Sequence, residues 1–124
     1  MRNLAAIVAV LILIVPSVAN AETFNGMGMG LRTCGQFAQD YRSNPQQAEA
    51  DYTGWMGGYL TGRNMQRQAF GYPTADLGGM TLEQKMGFMR EWCQENPLAQ
   101  YSLGVQYLFE LLPTVAVRPA QAKP

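Results

Sequence analysis

The chain has 124 residues and its formal charges balance, with nine Lys and Arg against nine Asp and Glu. No run of basic residues is present, which argues against nucleic-acid binding. Histidine is absent, so Ser-His-Asp and Cys-His catalytic arrangements cannot be built, and zinc lacks its commonest ligand. Acids such as Glu83 and Glu91 could still form a carboxylate pair, but helical phase places them on an outward, solvated face. We therefore expect no enzymatic activity, no metal site and no cofactor.

The first 21 residues have the three parts of a signal peptide. Arg2 supplies the positive charge, residues 4–15 form an apolar run, and Ala19 and Ala21 supply the small residues that a signal peptidase recognises. An apolar run of about 12 residues is too short for a membrane span, which needs roughly 20. The sequence therefore predicts export to the periplasm of a Gram-negative-type envelope and cleavage before Glu22.

The rest of the chain is long enough for one domain, predicted over residues 22–113. Residues 114–124 are rich in Pro and Ala, a composition that predicts a disordered tail. No apolar stretch after the signal peptide is long enough to span a membrane. Residues 24–30 alternate Gly with Met27 and Met29 and are expected to be flexible. Two Met without His or a free Cys are a poor copper site.

Start and stop signals predict four helices, over residues 33–43, 45–65, 81–95 and 97–112. The pairs Asn44-Pro45 and Asn96-Pro97 each join a good N-cap to a residue that suits the first helical position. Thr81 begins a capping-box pattern. The expected fold class is all-α, a compact four-helix domain.

Both cysteines lie on apolar helix stripes. Cys34 shares its stripe with Phe37, Ala38 and Tyr41. Cys93 shares its stripe with Leu82, Met86 and Met89, with Trp92 alongside. Two cysteines in an exported chain favour a disulfide, so we predict a Cys34–Cys93 bond that stabilises the domain by roughly 4 kcal/mol. The alternative is a pair of unbonded buried thiols.

The second helix carries an apolar stripe of Ala48, Tyr52, Trp55, Met56 and Tyr59. Beside it, Gly54, Gly58 and Gly62 recur every four residues, and Gly57 lies behind them. Four glycines in one helix cost about 3–4 kcal/mol relative to alanine. We predict that the first three form a helix-packing ridge against which another helix packs closely. The alternative is a break in the helix near Gly57-Gly58.

The fourth helix is apolar on two sides. One side is expected to be buried and comprises Leu98, Tyr101, Val105, Leu108, Phe109 and Leu112. Leu103, Tyr107 and Leu111 line the opposite side. A helix with two apolar faces is either central or covered by a partner, and the second face predicts a homodimer.

Residues 66–80 form the longest predicted connection and contain Phe70 and Tyr72. Loops of this length tend to be functional or disordered, and aromatic residues on a loop favour binding. We predict that Phe70 and Tyr72 contact a protein partner. The alternative is that the two rings pin the loop to the core.

Three segments together resemble the Rap/Tai family of immunity proteins: Thr33-Cys34-Gly35, the stretch from Trp55 to Gly62, and the stretch from Trp92 to Pro97. The resemblance covers residues 31–113. It implies a small periplasmic helical protein, often dimeric, that blocks a secreted peptidoglycan amidase delivered by type VI secretion. It assigns no inhibitory residue to this chain. Two alternatives stay open: an acid-stress periplasmic chaperone of the HdeA type, and an envelope protein with another structural or binding role.

Overall fold

A computed structural model describes residues 26–116, which are mostly helical. The elements in chain order are a 3₁₀ helix (Met29–Leu31), α1 (Cys34–Ser43), α2 (Pro45–Ala69), β1 (Thr74–Ala75), α3 (Leu82–Glu95), α4 (Tyr101–Leu111) and β2 (Thr114–Val115). The predicted all-α class with four helices is confirmed. The predicted signal peptide, residues 22–25 and residues 117–124 of the predicted tail lie outside the described residues.

Side-chain caps determine where three of the helices begin. Asn44 caps α2 and Pro45 occupies its first turn, as predicted. Thr81 and Gln84 form a reciprocal capping box at the start of α3, also as predicted. Thr33 forms a second capping box at the start of α1, which the sequence analysis did not identify. Each cap satisfies backbone N–H groups that a helix start leaves free.

The predicted start of the fourth helix at residue 97 is wrong, because α4 begins at Tyr101. The preceding segment bonds to the start of α1 through three hydrogen bonds of 2.8 Å each, from Gly35 N to Pro97 O, from Cys34 N to Ala99 O and from Tyr101 N to Arg32 O. These tertiary bonds use the backbone groups that a helix would have used. Leu98 is consequently 91% exposed, so its predicted burial is also wrong.

The Cys34–Cys93 disulfide joins the start of α1 to the end of α3, with the two Cα atoms 4.8 Å apart. The predicted pairing is confirmed, and both cysteines are buried. Next to them, Phe37, Tyr52 and Tyr101 form an aromatic centre in which neighbouring ring centroids lie 4.8–5.1 Å apart. Besides Leu98, the predicted stripe residue Leu82 also lies outside this core, because its side chain is 49% exposed, contrary to prediction.

The predicted helix-packing ridge on α2 is wrong. The helix is continuous, so the break near Gly57-Gly58 does not occur. However, Gly54, Gly58 and Gly62 are exposed, and a β-carbon added at any of them would meet nothing within 4 Å. No other helix among residues 26–116 packs against this ridge, because the stripe carrying Tyr52 and Met56 faces the core instead.

Close packing against glycine occurs at two other positions. A β-carbon at Gly104 of α4 would lie 2.5 Å from Cε3 of Trp92, and one at Gly30 would overlap the Trp55 ring. The Trp55 indole also donates a hydrogen bond to the Met27 carbonyl at 3.0 Å. The second half of the segment that was expected to be flexible therefore packs against the Trp55 side chain.

The two short strands form an antiparallel ribbon, with Thr74 opposite Val115 and Ala75 opposite Thr114. The predicted disorder from residue 114 onward is therefore wrong for Thr114 and Val115. Their pairing was hidden from the sequence analysis because it joins segments about 40 residues apart. Among residues 26–116, no helix combines the length and apolar character that crossing a membrane requires.

Candidate protein-binding surface

Exposed apolar side chains gather where α2 and α4 both end. We call this set the aromatic end surface, and it comprises Phe70, Tyr72, Leu111 and Val115, which are 71%, 63%, 66% and 44% exposed. Pairing of β1 with β2 places Val115 opposite Thr74, two residues beyond Tyr72. The exposure of Phe70 and Tyr72 shows that the alternative, in which the two rings pin the loop to the core, is wrong, and their contact with a protein partner stays a prediction.

Hydrogen bonds fix the backbone that carries Phe70 and Tyr72. Helix α2 extends four residues beyond its predicted end and closes with two hydrogen bonds, from Tyr72 N to Arg67 O at 2.9 Å and from Gly71 N to Gln68 O at 3.1 Å. This is the Schellman pattern. It requires a residue with positive φ, which Gly71 supplies at 72°. The two exposed aromatic side chains thus project from a helix end that is closed by hydrogen bonds.

The rest of the predicted loop is anchored by two polar side chains. The Asn64 amide bonds both backbone groups of Ala75 at 2.8 Å, taking the place of a neighbouring strand. The buried Lys85 ammonium donates to the carbonyls of Leu77 and Met80 at 2.5 and 2.7 Å. Sequence reasoning missed both anchors because each joins residues from different elements.

Charged groups border the aromatic end surface. Arg63 and Arg67 of α2 lie over the Phe109 ring, at 5.2 and 4.6 Å from its centroid. Both also approach Glu110 of α4, at 3.4 and 3.5 Å. Exposed ion pairs add little stability, but together with the cation–π contacts they hold the ends of α2 and α4 together.

The outer face of α4 forms a second apolar surface. Leu103, Tyr107 and Leu111 are 43%, 55% and 66% exposed, as their helical phase predicts. The half-buried Trp92 of α3 extends this face, with its ring centroid 5.8 Å from that of Tyr107. The face is uncovered within residues 26–116, and dimerisation through it stays a prediction.

Two clusters of polar side chains adjoin the aromatic centre, the first through Tyr52 and the second through Tyr41, whose ring centroid lies 4.9 Å from that of Phe37. In the first, Asp40 accepts from Tyr52 at 2.7 Å and from Arg32 at 2.8 Å. Partial burial acts to raise the pKa of Asp40, but the hydrogen bonds from Tyr52 and Arg32 outweigh it and hold this pKa below its usual value. In the second, Tyr41 donates to Glu49. Burial, followed by this carboxylate, raises the pKa of Tyr41.

An apolar groove of about 440 Å³ runs between α1 and α3 beside the disulfide. Its lining includes Phe37, Ala38 and Tyr41, with Arg90 from α3. Arg90 contacts Glu83 at 3.2 Å and Glu49 at 3.9 Å. Its guanidinium is therefore already engaged by carboxylates of the same chain.

Within residues 26–116, no group of three or more His, Cys, Asp or Glu side chains could hold a metal ion. Glu83 and Glu91 are both exposed, as predicted. The most distinctive chemistry on the described surface is apolar and aromatic. Comparison of the chain with protein-family models, curated proteins and solved structures finds no match.

Proposed function

We propose that this protein acts by binding another protein through the aromatic end surface. The observation that supports the proposal is the presentation of two largely exposed rings, Phe70 and Tyr72, on the Schellman end of α2. Exposing the apolar surface of an aromatic ring to water costs free energy, and burying it against a partner recovers that cost. Aromatic anchors accordingly contribute much of the binding free energy of protein interfaces. A rigid frame also reduces the entropy lost on binding.

The partner class that we propose is a peptidoglycan amidase toxin of the type VI secretion pathway, and the activity is inhibition. This part rests on the resemblance to the Rap/Tai immunity proteins through the three segments given above. An inhibitor of this kind needs a complementary surface rather than catalytic groups, so the proposal includes no enzymatic activity. The periplasm is the proposed location, because the predicted signal peptide exports the chain and disulfides persist in that compartment.

The test is capture of partners from envelope extract at neutral pH by the mature protein and by a Phe70→Ala, Tyr72→Ala double variant. The matched control is Leu98→Ala, which truncates an even more exposed apolar side chain elsewhere on the surface. We expect the parent and the control to capture the same partner and the double variant to lose it. Each anchor should contribute about 2 kcal/mol or more to binding.

The amidase assignment is tested separately, by measuring whether the protein inhibits hydrolysis of purified peptidoglycan by an amidase toxin of the type VI secretion pathway. Inhibition by the parent at equimolar protein, lost in the double variant, would support it. A captured partner that is no cell-wall enzyme would contradict the immunity role while leaving the binding surface in place.

An acid-stress chaperone is the second candidate, favoured by the carboxylates that join separate elements. Asp40 bonds to side chains from the segment before α1 and from α2, so protonation would release both contacts. A chaperone would capture many unfolded proteins only after acid exposure, at a pH below the lowered pKa of Asp40. It would also do so irrespective of the substitutions at Phe70 and Tyr72.

A further inference from the structure

We propose that the outer edge of β2 binds an extended segment of the partner protein as an additional strand. This inference rests on the proposed function and specifies how the partner is recognised. The ribbon has two edges, one formed by β1 and the other by β2. A side chain covers the β1 edge, whereas no residue among 26–116 hydrogen-bonds to the outer side of the β2 edge.

The direction of the backbone groups follows from the strand register. Asp76 N donates to Pro113 O at 2.7 Å, so these two residues form a hydrogen-bonded position of the antiparallel ladder. Such positions alternate with positions whose N–H and C=O point away from the other strand. The pair Ala75 and Thr114 is therefore of the outward-pointing kind.

On the β1 edge, the outward direction of the Ala75 backbone groups is confirmed, because a side chain outside the ribbon bonds to both of them. The Asn64 amide bonds the N–H and the C=O of Ala75, each at 2.8 Å. A side-chain amide therefore occupies the place of a third strand on the β1 edge. No additional strand can bind there without displacing Asn64.

The β2 edge has no such cover within residues 26–116. The hydrogen bonds described outside the ribbon include none to Thr114 or Ala116, and both residues are exposed. Ala116 directly follows β2, and continuing the alternation by one more pair would give its backbone N–H and C=O the same outward direction as those of Thr114. These four groups form a short template of the kind to which an extended peptide adds as a strand.

The side chains beside this edge indicate the chemistry of the bound segment. Val115 lies opposite Thr74, so these two side chains share one face of the ribbon, and the exposed Tyr72 precedes β1 by two residues. A strand added next to β2 would place every second side chain beside Val115. We therefore infer an extended partner segment with apolar residues at alternate positions, without proline at the paired positions.

The probe is a short acetylated and amidated peptide that alternates threonine and valine between terminal lysines. Its control has proline in place of each valine. Titration into ¹⁵N-labelled protein at millimolar peptide should move the Thr114 and Ala116 amide resonances saturably and slow their hydrogen exchange. The proline peptide should cause neither change.

The decisive variant is Thr114→Pro, which removes one outward N–H and keeps the inward bonds between β1 and β2. It should weaken peptide binding roughly tenfold or more, whereas Thr114→Val should bind like the parent because recognition is through the backbone. Unchanged amide resonances of Asn64 and Ala75 in Thr114→Pro establish that the ribbon is intact. If these resonances change, Ala116→Pro is used instead, because it also removes an N–H from the β2 edge. The inference would be overturned by the absence of saturable shifts at Thr114. It would also be overturned if both proline variants, Thr114→Pro and Ala116→Pro, bound the peptide as tightly as the parent does.

The two proposals fail in distinguishable ways. If Thr114→Pro captures the envelope partner as well as the parent while the Phe70→Ala, Tyr72→Ala variant does not, the aromatic end surface binds without strand addition. If the peptide binds at Thr114 and no envelope protein is captured, strand addition stands and the proposed function falls.

Discussion

Replacing Gly58 with alanine is expected to stabilise the domain, whereas the same replacement at Gly104 is expected to destabilise it. Both residues lie inside α-helices, so alanine contributes about 1 kcal/mol of helix propensity at each. At Gly58 the new methyl group meets nothing within 4 Å. The full gain should therefore appear in the free energy of unfolding, with a rise in Tm of about 4–8 °C.

At Gly104 the packing cost outweighs the propensity gain. The new β-carbon would lie 2.5 Å from Cε3 of Trp92 and 2.7 Å from Cε of Met89, against about 3.5–4.0 Å for a comfortable carbon contact. Met89 can change rotamer, but the indole is rigid and α3 and α4 must separate. Overpacking of this kind costs about 1–3 kcal/mol, which leaves a net loss of about 1 kcal/mol after the propensity gain.

Urea unfolding of the oxidised proteins, followed by circular dichroism and tryptophan fluorescence, measures both free energies. Each variant should be studied at two protein concentrations, because a ridge covered by a second copy would make the effect of Gly58→Ala depend on concentration. A loss of stability in Gly58→Ala at both concentrations, or a gain in Gly104→Ala, would refute the placement of the two glycines.

Three further predictions concern the disulfide, pH and the end of α2. Replacing Cys34 and Cys93 together with alanine should lower the unfolding free energy by roughly 4 kcal/mol, measured by the same urea titration; near-equal stability would contradict a major structural role for the bond. Because the pKa of Asp40 is lowered on folding, its contribution is fully present above the unfolded pKa and is lost as the pH falls through the folded one. Asp40→Asn should thus cost about 1–2 kcal/mol at pH 7 and nothing at strongly acidic pH, so a pH-independent difference between variant and parent would count against it. Gly71→Ala should cost about 1 kcal/mol because φ is positive there, and thermal melting checks this, with an unchanged Tm as the opposing result.

Local signals were sufficient to predict most of the helices and the disulfide. Asn44-Pro45 and the Thr81 capping box act within a few residues, so they operate in the same way whatever the rest of the chain does. The helical phases of Cys34 and Cys93 put both on core-facing stripes, and only one pairing of two cysteines is available.

Only the tertiary structure decided the features that join distant segments. Asn96-Pro97 has the residues of a helix start, yet the backbone that follows bonds to the start of α1, and three tertiary hydrogen bonds replace the predicted turn. The glycines of α2 have the spacing of a packing ridge, but periodicity alone cannot say which side of a helix another element covers. Gly104 packs closely because Trp92 lies across it, and the β2 edge exists because Thr114 pairs with a strand 39 positions earlier. Local patterns determine where the chain can form helices. Competition across the whole domain, for backbone hydrogen-bond partners and for burial of apolar area, determines which of those helices form and which faces they bury.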